Sequence, residues 1–288
     1  MRTSVLLWVT ASVIASGSQE KTYDLKFDAK PVKGHKSEQF LKTATRLAMK
    51  VNGQPAGGMT EDKVFAAIQE ILAVDADDRT KRRWVFSKAS RQVEGKALSF
   101  GFEGRTVIMT DAKGKAREFT LEGGGSFSEQ DLKGLKEAFD EAKEEGKPSI
   151  TDLLAPPKSV KVGESWTVDV KKGGAVVDKK MMEAIDPAKS RIIYTLKSVE
   201  TRSGVEFGKI AGTMELVLTA FGPLKLDLPL TVNIVVEVES CIDGKLPDGV
   251  SRVKAELKGK SPATTDSGKI EIEVDLTMDR ERVITSTK

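Results

Sequence analysis

From Leu224 to Val238 every second residue is apolar: Leu224, Leu226, Leu228, Leu230, Val232, Ile234, Val236 and Val238. Lys225, Asp227, Pro229, Thr231, Asn233, Val235 and Glu237 lie between them. A strict period of two describes an extended strand with one buried and one wet face. At about 3.3 Å per residue the run would reach roughly 50 Å, whereas an ordinary strand has about 5–6 residues. It must therefore bend or consist of two strands in series. Pro229 is the expected kink, because proline has no N–H to give to a sheet ladder. The expected partner is 210–220, whose apolar residues Ile210, Met214, Leu216, Leu218 and Ala220 also fall on even positions. Val205 and Phe207 are odd, so a bulge is expected at Gly208.

Alternation continues on either side. Tyr23, Leu25, Phe27 and Ala29 predict a first strand, and Leu41 to Val51 a second that ends in a turn at 52–58. Residues 60–74 fit either a helical face capped by Thr60 or a hairpin with Arg82–Phe86. The hairpin is adopted, because Trp84-Val85-Phe86 forms strands readily and needs a neighbour. Short strands follow at 97–102, 105–110 and 115–121. Ser128 to Glu145 predicts the clearest helix, with Ser128 as cap and Leu132, Leu135, Ala138, Phe139 and Ala142 on one face. A helical turn at 149–154 then leads to Pro156-Pro157. Trp166, Val168 and Val170 predict one strand face, and 176–186 a short helix. Strands are expected at 190–200, 204–220, 224–240, 250–259 and 269–285, the last alternating through Ile270, Ile272, Val274, Leu276 and Met278.

The fold class is thus mainly β (α+β), a curled antiparallel sheet or two packed β halves with one long helix at 128–145. The expected division is a signal peptide at 1–18, an N-terminal β half at 19–155 ending in the helix, and a C-terminal antiparallel β half at 156–288. The signal peptide is read from Arg2, the apolar stretch Val5–Ile14 and the small residues Ala15-Ser16-Gly17-Ser18, with cleavage near Gly17 or Ser18. A buried first strand or helix is the alternative. No segment reaches the roughly 18 apolar residues of a membrane-spanning helix. Export to the periplasm or the extracellular space follows as the expectation.

Charge alters this picture little. There are 46 Lys and Arg against 43 Asp and Glu, a net of +3 that implies no dedicated polyanion partner. Aromatics at 6% argue against a stacking platform for nucleic acid. Cys241 is the one cysteine, so no intramolecular disulfide can form.

The chemistry-bearing motifs fail one after another. His35 is the one histidine, so a His-based metal cluster cannot be built, and in its Lys-rich turn it is expected to be solvated. Asp75-Ala76-Asp77-Asp78 starts like a calcium loop, but Thr80 and Phe86 stand where glycine and glutamate are required. Gly123-Gly124-Gly125 precedes a helix whose first turn holds Glu129 and Asp131, which compete with any phosphate. Ser251 and Lys254 have serine–lysine spacing, but on a strand they point to opposite faces. Lys81-Arg82-Arg83-Trp84 mixes basic and aromatic residues, as a guarded strand edge also does. No catalytic constellation, metal site or cofactor is indicated.

Pro157-Lys158-Ser159-Val160-Lys161-Val162-Gly163-Glu164-Ser165-Trp166 resembles a phrase of uncharacterised exported bacterial proteins. The general layout is similar to lipoprotein-carrier-like half-barrels, whose curled antiparallel sheet has helices on its concave side. That resemblance implies binding of lipid or acyl chains in the cell envelope. The expectation is an exported, soluble, non-catalytic protein binding an apolar or amphipathic ligand, with no nucleic acid partner and no transmembrane segment. The candidate cavity lining is Leu224, Leu226, Leu228, Leu230, Val232, Ile234 and Val236. The alternative is a structural or protein-interaction module with a filled core.

Overall fold

A computed structural model describes residues 21–27, 29–75, 80–111, 117–139, 153–174, 183–222, 224–265 and 268–287. The expected signal peptide, the centre of the 75–78 loop, most of 140–154 and most of the expected helix at 176–186 lie outside them.

The described strands run β1 (Thr22–Tyr23), β2 (Lys36–Val51), β3 (Gln54–Val74), β4 (Thr80–Val93), β5 (Lys96–Ser99), β6 (Thr106–Asp111) and β7 (Glu118–Leu121). After them come β8 (Val160–Lys161), β9 (Ser165–Val168), β10 (Arg191–Arg202), β11 (Val205–Phe221), β12 (Leu224–Cys241), β13 (Gly249–Thr265) and β14 (Gly268–Thr287). Helix α1 spans Glu129–Phe139, and a short α2 spans Val170–Gly174. The fold is mainly β, as the alternation indicates. One 12-stranded sheet has the order β7-β6-β4-β3-β2-β14-β13-β12-β11-β10-β9, with β5 on the flank of β4. β1 and β8 pair separately.

The two β halves share this sheet. The join is β2 against β14, in unbroken register from Lys36↔Thr287 to Val51↔Ile272. Two apolar clusters pack on the same face. One lies under the C-terminal half, with Trp166, Tyr194, Leu196, Leu257, Ile272 and Val274. The other lies under α1 and gathers Phe65, Trp84, Phe86, Phe100, Phe102 and Leu135. β2 touches both, since Leu41 packs on the second cluster and Leu47 and Met49 on the first.

Local chemistry accounts for the turns and caps. Asn52 and Gly53 both have positive φ, the conformation a two-residue hairpin requires. At α1, the Asp131 N–H donates to Ser128 Oγ at 3.1 Å, and the Ser128 hydroxyl donates back to the Asp131 carboxylate at 2.7 Å. This reciprocal cap fixes the helix start. Gly134 lets α1 lie directly on Phe100, because a Cβ there would come within 2.3 Å of the ring.

Pro229 interrupts pairing on both sides. Leu218↔Leu230 is followed by Ala220↔Lys225, so Leu226 to Pro229 stand against Thr219 alone. On the other flank the pairs Leu226↔Ala263 and Val232↔Leu257 have none between them.

Several expectations need correction. Only Thr22–Tyr23 of the first expected strand is a strand; Leu25 is buried and Phe27 packs on the core without a ladder. The turn after β2 is Asn52-Gly53 alone, and Pro55 to Gly58 already belong to β3. The extra residue there is absorbed as a bulge between Met49 and Lys50. Phe100 and Phe102 leave the strand to bury their rings. Val170 starts α2 instead of continuing β9. The bulge expected at Gly208 lies instead at Lys197 of β10, between Leu196↔Ile210 and Ser198↔Lys209. Gly208 keeps its register because its bare Cα lets Ile242 pack close, within 2.8 Å of where a Cβ would stand.

Candidate functional site

The expected lining divides into two groups. Leu226, Leu230, Val232 and Val236 are buried in the C-terminal core, with Leu224 and Ile234 packed against it. Leu228 turns outward at the kink and is 58% exposed.

A different opening lies where β2, β3, β4 and β14 meet α1. Leu41 faces Phe65 and Arg282 across its two neighbours, and Gln39 faces Ala67, which faces Phe86. Directly opposed residues share a face, so these side chains converge. Leu41, Phe65, Trp84, Phe86 and Phe139 supply the apolar wall, and Gln39, Arg280 and Arg282 the polar one. Water can enter about 20 Å³ of it, room for about one molecule. Phe139 lies over the wall, its ring 4.6 Å from Trp84 and 5.9 Å from Phe86, centroid to centroid. The Trp84 indole N–H is buried and has no hydrogen-bond partner among the described residues. Leaving such a donor unsatisfied costs about 1–3 kcal/mol. Trp166, in the other core, carries the same orphaned N–H. Gln39 donates to Gln69, which is itself buried.

Beside the opening the inner face turns polar. Arg280, Thr43, Lys63 and Arg91 stand in register across β14, β2, β3 and β4. Glu61 takes an ion pair from Lys63 at 3.1 Å and another from Arg91.

The structure brings His35 into contact that the sequence does not reveal. Its Nε2 lies 3.2 Å from Ser286 Oγ, and the Ser286 hydroxyl donates to Asp248. Here serine stands between the other two residues. Nucleophile activation needs the imidazole in the middle to accept the hydroxyl proton, and this proton goes to Asp248. The cluster ties the end of β14 to the start of β2.

The remaining motifs are occupied by the fold. Arg83 pairs with Glu122 at 2.6 Å, Arg82 pairs with Asp111, and Trp84 is buried. Asp131 fills the α1 N-terminus and accepts the Gly101 N–H at 2.6 Å. Cys241 is buried and its thiol donates to Asp243 at 3.1 Å; burial pushes the thiol pKa up. Among the described residues no group of three or more His, Cys, Asp and Glu could hold a metal ion, and no helix is long and apolar enough to cross a membrane.

No family model and no curated protein matches the chain. Among solved structures, DynF from the dynemicin biosynthesis pathway of Micromonospora chersina aligns over 96% of this chain and 92% of its own, at 6% identity and a TM-score of 0.19. The outer membrane protein OprG from Pseudomonas aeruginosa aligns over 89% of this chain and 99% of its own, at 9% identity and a TM-score of 0.16. At such scores neither likeness carries an assignment.

Proposed function

We propose that this is an exported, soluble, non-catalytic protein of the cell envelope that binds an apolar or amphipathic ligand at the opening beside Trp84. The observation that carries this reading is the opening itself, an aromatic wall facing cationic side chains, with a buried indole N–H that has no acceptor among the described residues. Pockets of that composition hold small ligands through apolar contact and a few polar anchors. Phe139 is half-buried on α1, whereas the other aromatic walls lie on strands. Export rests on the three-part N-terminal layout.

A second reading is a structural or protein-interaction module. It draws on the closely clustered buried residues of the C-terminal half and on Ile68 and Val85, which are paired and exposed (47% and 42%) on the outer face of the sheet.

Native mass spectrometry of the protein purified from a bacterial envelope tests the first reading. A co-purified lipid or fatty acid mass supports it. No such mass, together with no thermal shift by fatty acids or phospholipids, overturns it in favour of the second.

A further inference from the structure

We infer that the protein pairs with a second copy of itself, sheet against sheet, through an apolar patch on the outer face of β2, β3, β13 and β14. This face is opposite the ligand opening, and the inference does not depend on that opening.

The patch is defined by strand register. Val250, Val283, Phe40 and Ala66 oppose one another in turn across β13, β14, β2 and β3, so they share one face. Period two sets that face against the one carrying Leu41, Phe65 and Arg282. Val64 and Ile68 flank Ala66 on the same face of β3, and Ile68 opposes Val85 of β4. Phe40, Val64, Val250 and Val283 belong to neither apolar cluster, and Ile68 and Val85 are exposed. Much of the outer face nearby is laddered with ion pairs, among them Arg252–Glu281, Lys50–Glu273 and Arg46–Asp62. A contiguous apolar area set in such a face marks a contact site.

The charges at its border identify the occupant. On its outer face β2 carries Glu38, Phe40 and Lys42 in succession, so opposite charges stand one step on either side of the ring. Both are exposed, and neither makes an ion pair among the described residues. A two-fold axis running along the row from Val250 to Ala66 stacks Phe40 on its own copy. The same axis sets Val64 against Ile68 and brings each Lys42 to the Glu38 of the partner subunit. Each surface then supplies what the other lacks, as an isologous contact requires. A partner of single-sign charge would leave Glu38 or Lys42 facing its like.

The footprint is large enough. Five strands from β13 to β4, about 4.8 Å apart, and four rows about 6.8 Å apart span roughly 650 Å², close to the ~800 Å² per partner of a standard interface. Sheets packed face to face in this way align within about 30°.

Sedimentation velocity of the purified protein over a dilution series tests the inference. A dimer that dissociates on dilution is expected. Phe40→Glu sets two carboxylates on the axis and should leave a monomer. Should that variant fail to fold, the exposed charges give the same answer. K42E and E38K each place like charges across the axis and should weaken the dimer about tenfold. The double variant K42E/E38K restores opposite signs and should recover wild-type dimerisation. A monomer at every concentration overturns the second copy as occupant, and a dimer indifferent to F40E overturns the patch as its interface. A double variant no tighter than the single ones overturns the two-fold arrangement.

Discussion

The hydroxyl of Ser261 on β13 replaces the ladder that Pro229 interrupts at Leu228. Its Oγ donates to the Leu228 carbonyl at 2.6 Å and accepts the Leu228 N–H at 3.3 Å, and Ser261 is fully buried. The long strand therefore bends without leaving that residue's backbone groups unpaired. Ser261→Ala removes the bridge and should lower stability by about 1 kcal/mol or more. Urea unfolding should show an earlier midpoint with an unchanged slope; an unchanged midpoint would place the bend's support elsewhere.

Gly212 on β11 lies directly across from Tyr194 on β10, and the ring covers it so closely that a Cβ would stand 2.3 Å from the ring edge. Gly212→Ala should therefore destabilise by about 1–3 kcal/mol, the usual cost of overpacking. Adding Tyr194→Leu should recover part of the loss, read as a rise in thermal midpoint over the single variant. No recovery would mean that the strain lies in the backbone.

Burial also raises the Tyr194 phenol to a pKa of about 12, above the ordinary value of about 10. The folded state holds this proton more tightly than the unfolded chain. The associated stability is complete below about pH 10 and drains as pH rises toward the folded value. Denaturation midpoints measured across the alkaline range should fall in the wild type. Tyr194→Phe should flatten that branch, and an equally steep fall in the variant would assign it to other groups.

Asp243 behaves in the opposite sense. Burial opposes its ionisation, but hydrogen bonds from Lys245, the Cys241 thiol and the Glu206 N–H outweigh that and hold the carboxyl well below the usual range. Its contribution is present above the unfolded value of about pH 3.9 and is lost as pH falls toward the folded one. Asp243→Asn should be less stable than wild type at neutral pH, with the gap closing on acidification. A gap independent of pH would contradict the assignment.

Much of the sheet was legible because alternation is local. The Leu224–Val238 run, its partner at 210–220, the hairpin of β3 and β4 and the Ser128 cap all follow from neighbours in sequence. The bulge expected at Gly208 is absent because Phe207 does not join the core face. Its ring instead lies 5.0 Å from the Arg202 guanidinium, leaving the even positions of β11 as the core face. The candidate opening was not legible, since it needs β2 beside β14, strands more than two hundred residues apart (Leu41↔Arg282). One signal did stand in the sequence: the apolar even face of β14 gives way at Arg280 and Arg282 without a change of parity. Charges held on an inward face mark either a buried pair or a site.

The ligand's position against Trp84 is the claim on which the proposed function depends, and short-range quenching reads it directly. Dodecanoate brominated at its terminal carbon should quench part of the tryptophan fluorescence of the full chain on titration, saturably. In Trp84→Phe, with Trp166 retained, that quenching should disappear. Quenching of equal depth in the variant would put the chain elsewhere, and no quenching in the wild type would mean that the opening beside Trp84 holds no ligand.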